Sequence, residues 1–421
     1  RVHLSPRPPP RLGEGAGGRG EPATTETIVL RFLTAGESHG PALTAILEGM
    51  PAGVPVTEEA VNAQLARRQV GFGRGQRMRI ERDTARITAG VRFGTTLGSP
   101  IALTIENRDW ANWTERMAQF DEPAAPPPPI TMPRPGHADL AGMVKYGTAD
   151  LRNILERASA RETAARVAVG ALARCLLSAL GIRVFSHVLV IGGVDAHPDT
   201  RDYAALEAAA DASDVRCADP DAAERMRAAI SRAGAAGDTL GGVVQVVATG
   251  LPVGLGSHVQ WDRKLDGQLA GALMSIPAIK GVEIGLGFGV AHRPGSAVHD
   301  AIYPGPGGIV RQTNNAGGLE GGITNGEPLV VQVAMKPIPT LITPLPSVDL
   351  ATGKAVSAHS ERSDVCAVPA AGVVAEAMVA FVLSASILEC FSGDSLDELH
   401  VSWARTAERA ARMTTRRSAD E

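Results

Sequence analysis

Short strand-like runs, each closed by glycine or proline, restrict this chain to folds built from sheets with helices packed on them. Ile28–Thr34, Leu43–Glu48, Arg86–Val91, Ile101–Glu106, Val184–Ile191, Val243–Ala248 and Leu329–Met335 are six to eight residues long and rich in aliphatic or β-branched side chains. Many of the 47 Gly and 29 Pro lie between such runs, where they start and stop turns. Helices are predicted over Thr57–Gln69, Ala138–Tyr146, Ser159–Leu180, Asp262–Ser275 and Val373–Cys390. Glu58 and Glu59 after Thr57 suit the positive end of a helix dipole, and Ser159 with Glu162 has capping-box spacing. The pattern predicts an α+β protein with largely antiparallel strands and surface helices, and leaves the topology open.

Composition narrows the class. With 421 residues, 44% hydrophobic, the chain can bury a large core, and no composition break divides Ile28–Asp394, so one extended domain is expected rather than the roughly three that length alone suggests. A formal net charge of -4 argues against a dedicated nucleic-acid binder, so anion recognition has to be local. Of 41 basic residues only five are Lys, an imbalance that suits forked recognition of carboxylate and phosphate and that a GC-rich genome also produces. Cys175, Cys217, Cys366 and Cys390 are far apart and form no C-x-x-C pair, which suits a reducing cytoplasm, leaves no metal site to propose, and makes a buried thiol the expectation for each. No uninterrupted apolar run reaches the ~18–20 residues of a membrane span, so no membrane association is expected.

Residues 1–28 read as a disordered Pro/Gly-rich extension, 29–400 as a single domain and 401–421 as a C-terminal tail. The extension lacks the apolar region of a secretory signal, and Glu14, Glu21 and Glu26 disfavour a transit peptide. It is read as translated upstream sequence ahead of a start at Val29. Its G-x-G-x-x-G matches follow no strand and are not dinucleotide fingerprints. Phe120–Pro135, with its Pro run, reads as an exposed connection.

Five stretches carry possible chemistry. Gly36-Glu37-Ser38-His39-Gly40 has the G-x-S-x-G form of a nucleophile elbow, and Asp364 and His400 would complete the order of a serine hydrolase. An elbow needs a helix after the serine, whereas Pro41–Glu48 reads as a strand, which makes a glycine turn holding a hydrogen-bonded His39 the competing reading. Arg67 to Arg79 holds five arginines among glycines, either an anion clamp or a solvated basic loop. Pro133-Arg134-Pro135-Gly136-His137-Ala138-Asp139 delivers a histidine at a helix start, in a position to donate a proton near an anion or to serve structure only. Thr313–Gly326 is a Gly-dense polar loop ahead of a strand that ends at Lys336-Pro337-Ile338-Pro339-Thr340, suited to a flat phosphorylated ligand or to a mobile surface. Arg362-Ser363-Asp364 precedes the long apolar helix. A non-catalytic module that captures a phosphorylated partner through the arginines is a third class.

Taken in this order, the stretches resemble the chorismate synthase family, together with Glu156-Arg157-Ala158-Ser159-Ala160-Arg161-Glu162-Thr163 and Gly317–Gly326, and the resemblance runs over Val29–Leu399. It implies a β-α-β sandwich, usually homotetrameric, and a lyase that converts 5-enolpyruvylshikimate 3-phosphate to chorismate and phosphate by a 1,4-elimination requiring reduced FMN. It further implies His39 as proton donor to the departing phosphate, His137 as the group protonating the reduced flavin, and Asp364 acting with the flavin in removal of the C6 proton. Arg68, Arg74 and Arg134 would hold substrate anions, Arg68 and Arg74 also matching NADPH positions. Flavin contacts are implied at Arg157, Ala158, Ser159, Ala278, Gly321, Lys336, Pro337, Ile338, Pro339, Thr340 and Arg362. No reductase domain is visible, so NADPH would reduce the flavin directly or through a separate flavin reductase. Two positions depart from the family pattern: Pro277 stands where Gln is common and Pro339 where Ser is common, each removing a polar side chain and a backbone N–H.

Overall fold

A computed structural model describes residues 30–75, 82–120, 123–198, 202–305, 308–361, 363–391 and 393–414. The extension read at 1–28, part of the arginine-rich stretch, and Arg362 lie outside the described residues. The chain opens with β1 (Arg31–Ala35) and β2 (Ala42–Glu48), then α1 (Glu58–Gln69), β3 (Ala85–Ala89) and β4 (Ile101–Glu106). These strands form an antiparallel sheet in the order β1-β2-β4-β3. After α2 (Asp139–Tyr146), α3 (Arg152–Ala158) and α4 (Thr163–Ala179) come β5 (Arg183–Ile191), β6 (Val194–Asp195), α5 (Tyr203–Ala212), α6 (Pro220–Ala235) and β7 (Gly242–Thr249). The remaining principal elements are α7 (Leu265–Met274), β8 (Ile279–Ile284), β9 (Leu329–Met335), α8 (Val368–Cys390) and α9 (Leu396–Thr414). The second sheet is also antiparallel, in the order β8-β9-β7-β5-β6.

Period-two burial sets which face of each sheet turns inward. In β2, Leu43, Ala45 and Leu47 are buried, and opposite them in β4 so are Ile101, Leu103 and Ile105. Such a face needs a cover. It is supplied by α4, which packs on β2 and β4 and against α1, while α8 packs on β5 and β7 and lies along α4. The result is a β-α-β sandwich whose middle layer is helical. Of the predicted helices, α4 and α8 form the middle layer that the β-α-β resemblance implies rather than lying at the surface, because they carry no continuous polar face to turn to solvent.

Two details follow from that layer. By length and composition α8 could cross a membrane, which the search for uninterrupted apolar runs missed because Glu376 interrupts the run; here it is the buried centre of the fold. And the α4–α8 crossing is tight at Gly170, where an added Cβ would lie 2.3 Å from Ala377 Cβ and 2.5 Å from its Cα.

Other expectations need correction. Ser159 Oγ accepts from Arg161 N and starts a 3-10 turn, while Glu162 binds Thr34 and Arg166, so no capping box forms and α4 begins at Thr163. Helix α8 starts five residues before the predicted Val373, at Val368 with Pro369 in its first turn, where a missing N–H costs nothing. Helix α9 runs through residue 400 into the predicted tail, with Trp403 packed on Phe391 at 5.1 Å between ring centres. The end of the Pro-rich connection is buried at Ile130 and Arg134. Of the four thiols Cys390 is exposed and Cys175 half-buried.

Candidate active site

The β1–β2 hairpin answers the first question posed by Gly36–Gly40. The chain reverses at Gly36, whose φ of +106° and an added Cβ only 2.4 Å from Ala42 O both require glycine. No elbow helix follows. Ser38 Oγ accepts from Ser159 Oγ at 3.1 Å, and His400 Nε2 lies instead at Ala179 O, 3.2 Å away at the end of α4. Among the described residues no imidazole bonds the Ser38 hydroxyl, so the serine-hydrolase reading fails on geometry.

What the turn presents is His39. Its backbone N–H donates to Glu156 Oε2 (2.8 Å), and its Nδ1 lies 3.0 Å from both carboxylate oxygens of the same residue. The ring stacks on Trp113 with centres 3.7 Å apart. With Nδ1 engaged by a buried carboxylate, Nε2 is the nitrogen left for the cleft that His39 lines.

His137, just before α2, is built the same way over a shorter span. Its Nδ1 bonds Asp139 Oδ1, and Asp139 Oδ2 accepts from Arg134 N (3.0 Å) and Nε (2.9 Å). Burial pulls the Asp139 carboxyl upward, but hydrogen bonds from His137 and Arg134 outweigh it and hold the group well below the usual carboxylate range. Asp139 is therefore ionised, and His137 Nδ1 is its donor. Arg134 completes the unit by donating from Nη1 to Thr340 Oγ1 (3.0 Å).

In the same cleft Arg74 Nη1 pairs with Asp364 Oδ2 at 2.9 Å, and Gly75 N donates to Asp364 Oδ1 at 2.6 Å. Arg68, on the last turn of α1, donates from Nε to Thr163 Oγ1 and from Nη2 to Ala160 O, both at 3.0 Å. Lys336 enters from the end of β9. Burial and then the neighbouring Lys280 push its ammonium below the usual lysine value, and among the described residues no carboxylate lies within salt-bridge distance.

One cleft of about 670 Å³ gathers these groups, within the usual span of ligand pockets. It is lined by His39, His137, Asp364, Arg68, Arg74, Arg134, Ala158, Ser159, Ala278, Lys336, Ile338, Pro339 and Thr340, all named from sequence. Three named residues stand apart. Arg157 donates to Gly36 O and Thr34 O and faces an adjacent groove with Phe32 and Met378; Pro337 does not reach the cleft; Gly321 sits at an exposed hairpin turn between Leu319–Glu320 and Ile323–Thr324. Sequence reasoning assigned no role to Glu156, Trp113, Arg161, Lys280 or Glu361. Glu361 lines the cleft with its carboxyl at about 2, held there by a hydrogen bond from His359 against the pull of burial. Asp139 was readable as a neighbour of His137; no spacing rule connects Glu156 to a histidine 117 positions earlier.

A protein-family model described as chorismate synthase matches residues 30–388. The chain belongs to the chorismate synthase family. It is 60% identical over 378 residues to the chorismate synthase of Trichlorobacter lovleyi, covering 88% of this chain and 96% of the relative. It is 63% identical over 369 residues to that of Moorella thermoacetica, covering 87% and 96%. A crystal structure of chorismate synthase superposes with a TM-score of 0.74 at 45% identity, over 91% of this chain and 99% of that one. As a chorismate synthase the chain is a lyase of the shikimate pathway to aromatic amino acids, converting 5-enolpyruvylshikimate 3-phosphate to chorismate.

Chorismate synthases use reduced FMN, and this cleft suits it. Ile276, Ile279, Ile338, Ala370 and Val374 offer apolar surface for a flat ring, and the half-buried Lys336 ammonium calls for an anion such as a phosphate.

Proposed function

We propose that the elimination runs in this cleft with His39 giving a proton from Nε2 to the phosphate oxygen as the C3–O bond breaks. The convergence of His39, His137 and Asp364 with Arg68, Arg74 and Lys336 on one cavity is the observation that supports this reading. A phosphate gains negative charge as it departs, so a fixed cation and an aimed proton donor lower the barrier where charge develops. Asp364, aimed by Arg74 and Gly75, takes the C6 proton. His137, held at Nδ1 by Asp139, carries a proton at Nε2 toward the flavin. Reduced FMN, when bound, would supply the electron density that this elimination needs without net redox change.

Ala158, Ser159, Ala278, Ile338, Pro339 and Thr340 would hold the flavin ring and Lys336 its phosphate, while Arg68, Arg74 and Arg134 meet the substrate's anions. NADPH is the reductant, used directly beside Arg68 and Arg74 or through a separate flavin reductase. The working form is a cytoplasmic homotetramer. The test is anaerobic phosphate release with dithionite-reduced FMN. His39→Ala, His137→Ala and Asp364→Ala should each lose about 10²-fold or more in kcat while still binding flavin. Unchanged turnover in any of the three removes that residue from the mechanism.

A further inference from the structure

We propose that Glu156 is the positioning residue of His39, fixing which ring nitrogen carries the transferable proton. The inference rests on His39 being the proton donor. Glu156 is 2% exposed at the end of α3, and its two oxygens serve three donors: His39 N at 2.8 Å, His39 Nδ1 at 3.0 Å and Arg152 Nη1 at 3.1 Å. Its backbone carbonyl also accepts from Ser38 N at 3.0 Å. The carboxylate thus holds both the turn that carries His39 and the ring itself.

Trp113 fixes the plane of the imidazole, stacked at 3.7 Å and 26°, and the guanidinium groups of Arg152 and Arg116 lie 5.4 and 5.6 Å from the Trp113 ring centre. Within that plane Glu156 selects the orientation, because turning the ring over would surrender both contacts at Nδ1. An acceptor-only group at Nδ1 keeps that nitrogen protonated, so the proton gained and lost is the one on Nε2. In the step itself the Nε2–H bond breaks, an O–H bond forms on the leaving phosphate, and the neutral ring stays bonded to Glu156 through Nδ1–H.

A Gln of the same shape has one acceptor for the three donors, and its amide N–H can donate to a bare Nδ1, leaving a neutral ring that would have to become an imidazolate to give up its Nε2 proton. Glu156→Gln in the full chain should lower kcat about 10²-fold and leave the substrate KM within about twofold. The double variant with His39→Ala should be no slower than His39→Ala alone, since Glu156 acts through that ring. A merely structural role would make the two losses multiply, and that result, or wild-type kcat in Glu156→Gln, overturns the proposal. Full activity in His39→Ala would instead overturn the donor reading, a separate outcome. An independent readout is ¹⁵N-histidine NMR of the full chain, with the His39 signal identified by its loss in His39→Ala. It should report a protonated Nδ1 in the wild type and a shifted tautomer balance in Glu156→Gln; an unchanged balance also counts against the proposal. Should Glu156→Gln fail to fold or load flavin, the same cycle and spectra apply to Glu156→Asp, whose carboxylate is withdrawn by one methylene.

Discussion

At the scale of single residues, the site runs on carboxylates held ionised by the groups they orient. The Asp139 carboxyl lies below the ordinary range because its bonds to His137 and Arg134 outweigh burial, and Glu361 sits at about 2 instead of 4.5 through its bond from His359. A carboxyl whose folded value is depressed contributes stability that is fully present above its unfolded value and is lost as pH falls through the folded one. The urea midpoint should therefore be level above pH about 5 and decline from about 4.5 toward 2. His359→Ala should remove the Glu361 share of that decline, and an identical pH curve for the variant would contradict the assignment. Asp139→Asn should cost about 10²-fold in kcat, since an amide can donate to Nδ1 and leave Nε2 without its fixed role. Activity equal to wild type, measured as phosphate release, would show that His137 needs no such partner. At this scale the sequence was most legible where partners are neighbours. Gly136-His137-Ala138-Asp139 contains its own pair, whereas His39 hides its partner on a different helix.

At the scale of elements, the middle helical layer is where the fold is least forgiving. Glu376 lies in the centre of α8, wholly buried, and its carboxyl stays low although burial opposes it, because Arg67, Arg174 and Arg216 surround it and Ser186 donates at 2.7 Å. That one group ties α1, α4 and β5 to α8, and Arg67 is the neighbour of Arg68 in the cleft. Glu376→Gln should destabilise by about 3–5 kcal/mol, because it leaves buried guanidinium charge without its counterion. A chemical-denaturation shift under about 1 kcal/mol would show the arginines find other partners. Gly170→Ala sets a helix gain of about 1 kcal/mol against an overlap with the backbone of Ala377 that no rotamer relieves. The overlap should win, for a net loss of about 1–3 kcal/mol. Seven strands were legible here because alternation and glycine punctuation are local. The inner position of α4 and α8 was not legible in their own pattern and came only with the β-α-β resemblance, since an apolar helix reads alike whether one sheet or two cover it.

At the scale of the whole molecule, the cleft draws its walls from the β1–β2 turn, the end of α1, the start of α2, the α3–α4 junction, the end of β9 and the approach to α8. Arg68, Arg74, Arg134, Arg161, Lys280 and Lys336 line it against Glu361 and Asp364, a local positive field on a chain whose net charge is -4. Substrate KM should rise several-fold between about 0.05 and about 0.5 M salt as that field is screened, with kcat within about twofold. A flat KM would mean that short, desolvated contacts alone hold the substrate. The sequence by itself determined the strands, the separate motifs and, through the family resemblance, the reaction, because each is carried by residues close together in the chain. Only the tertiary structure decided that Asp364 is aimed by Arg74 and Gly75, that Glu156 holds His39, and that Arg157 and Gly321 stand outside the cleft. Those relations join segments up to 290 residues apart, and their geometry exists only once two sheets have closed on the helices between them.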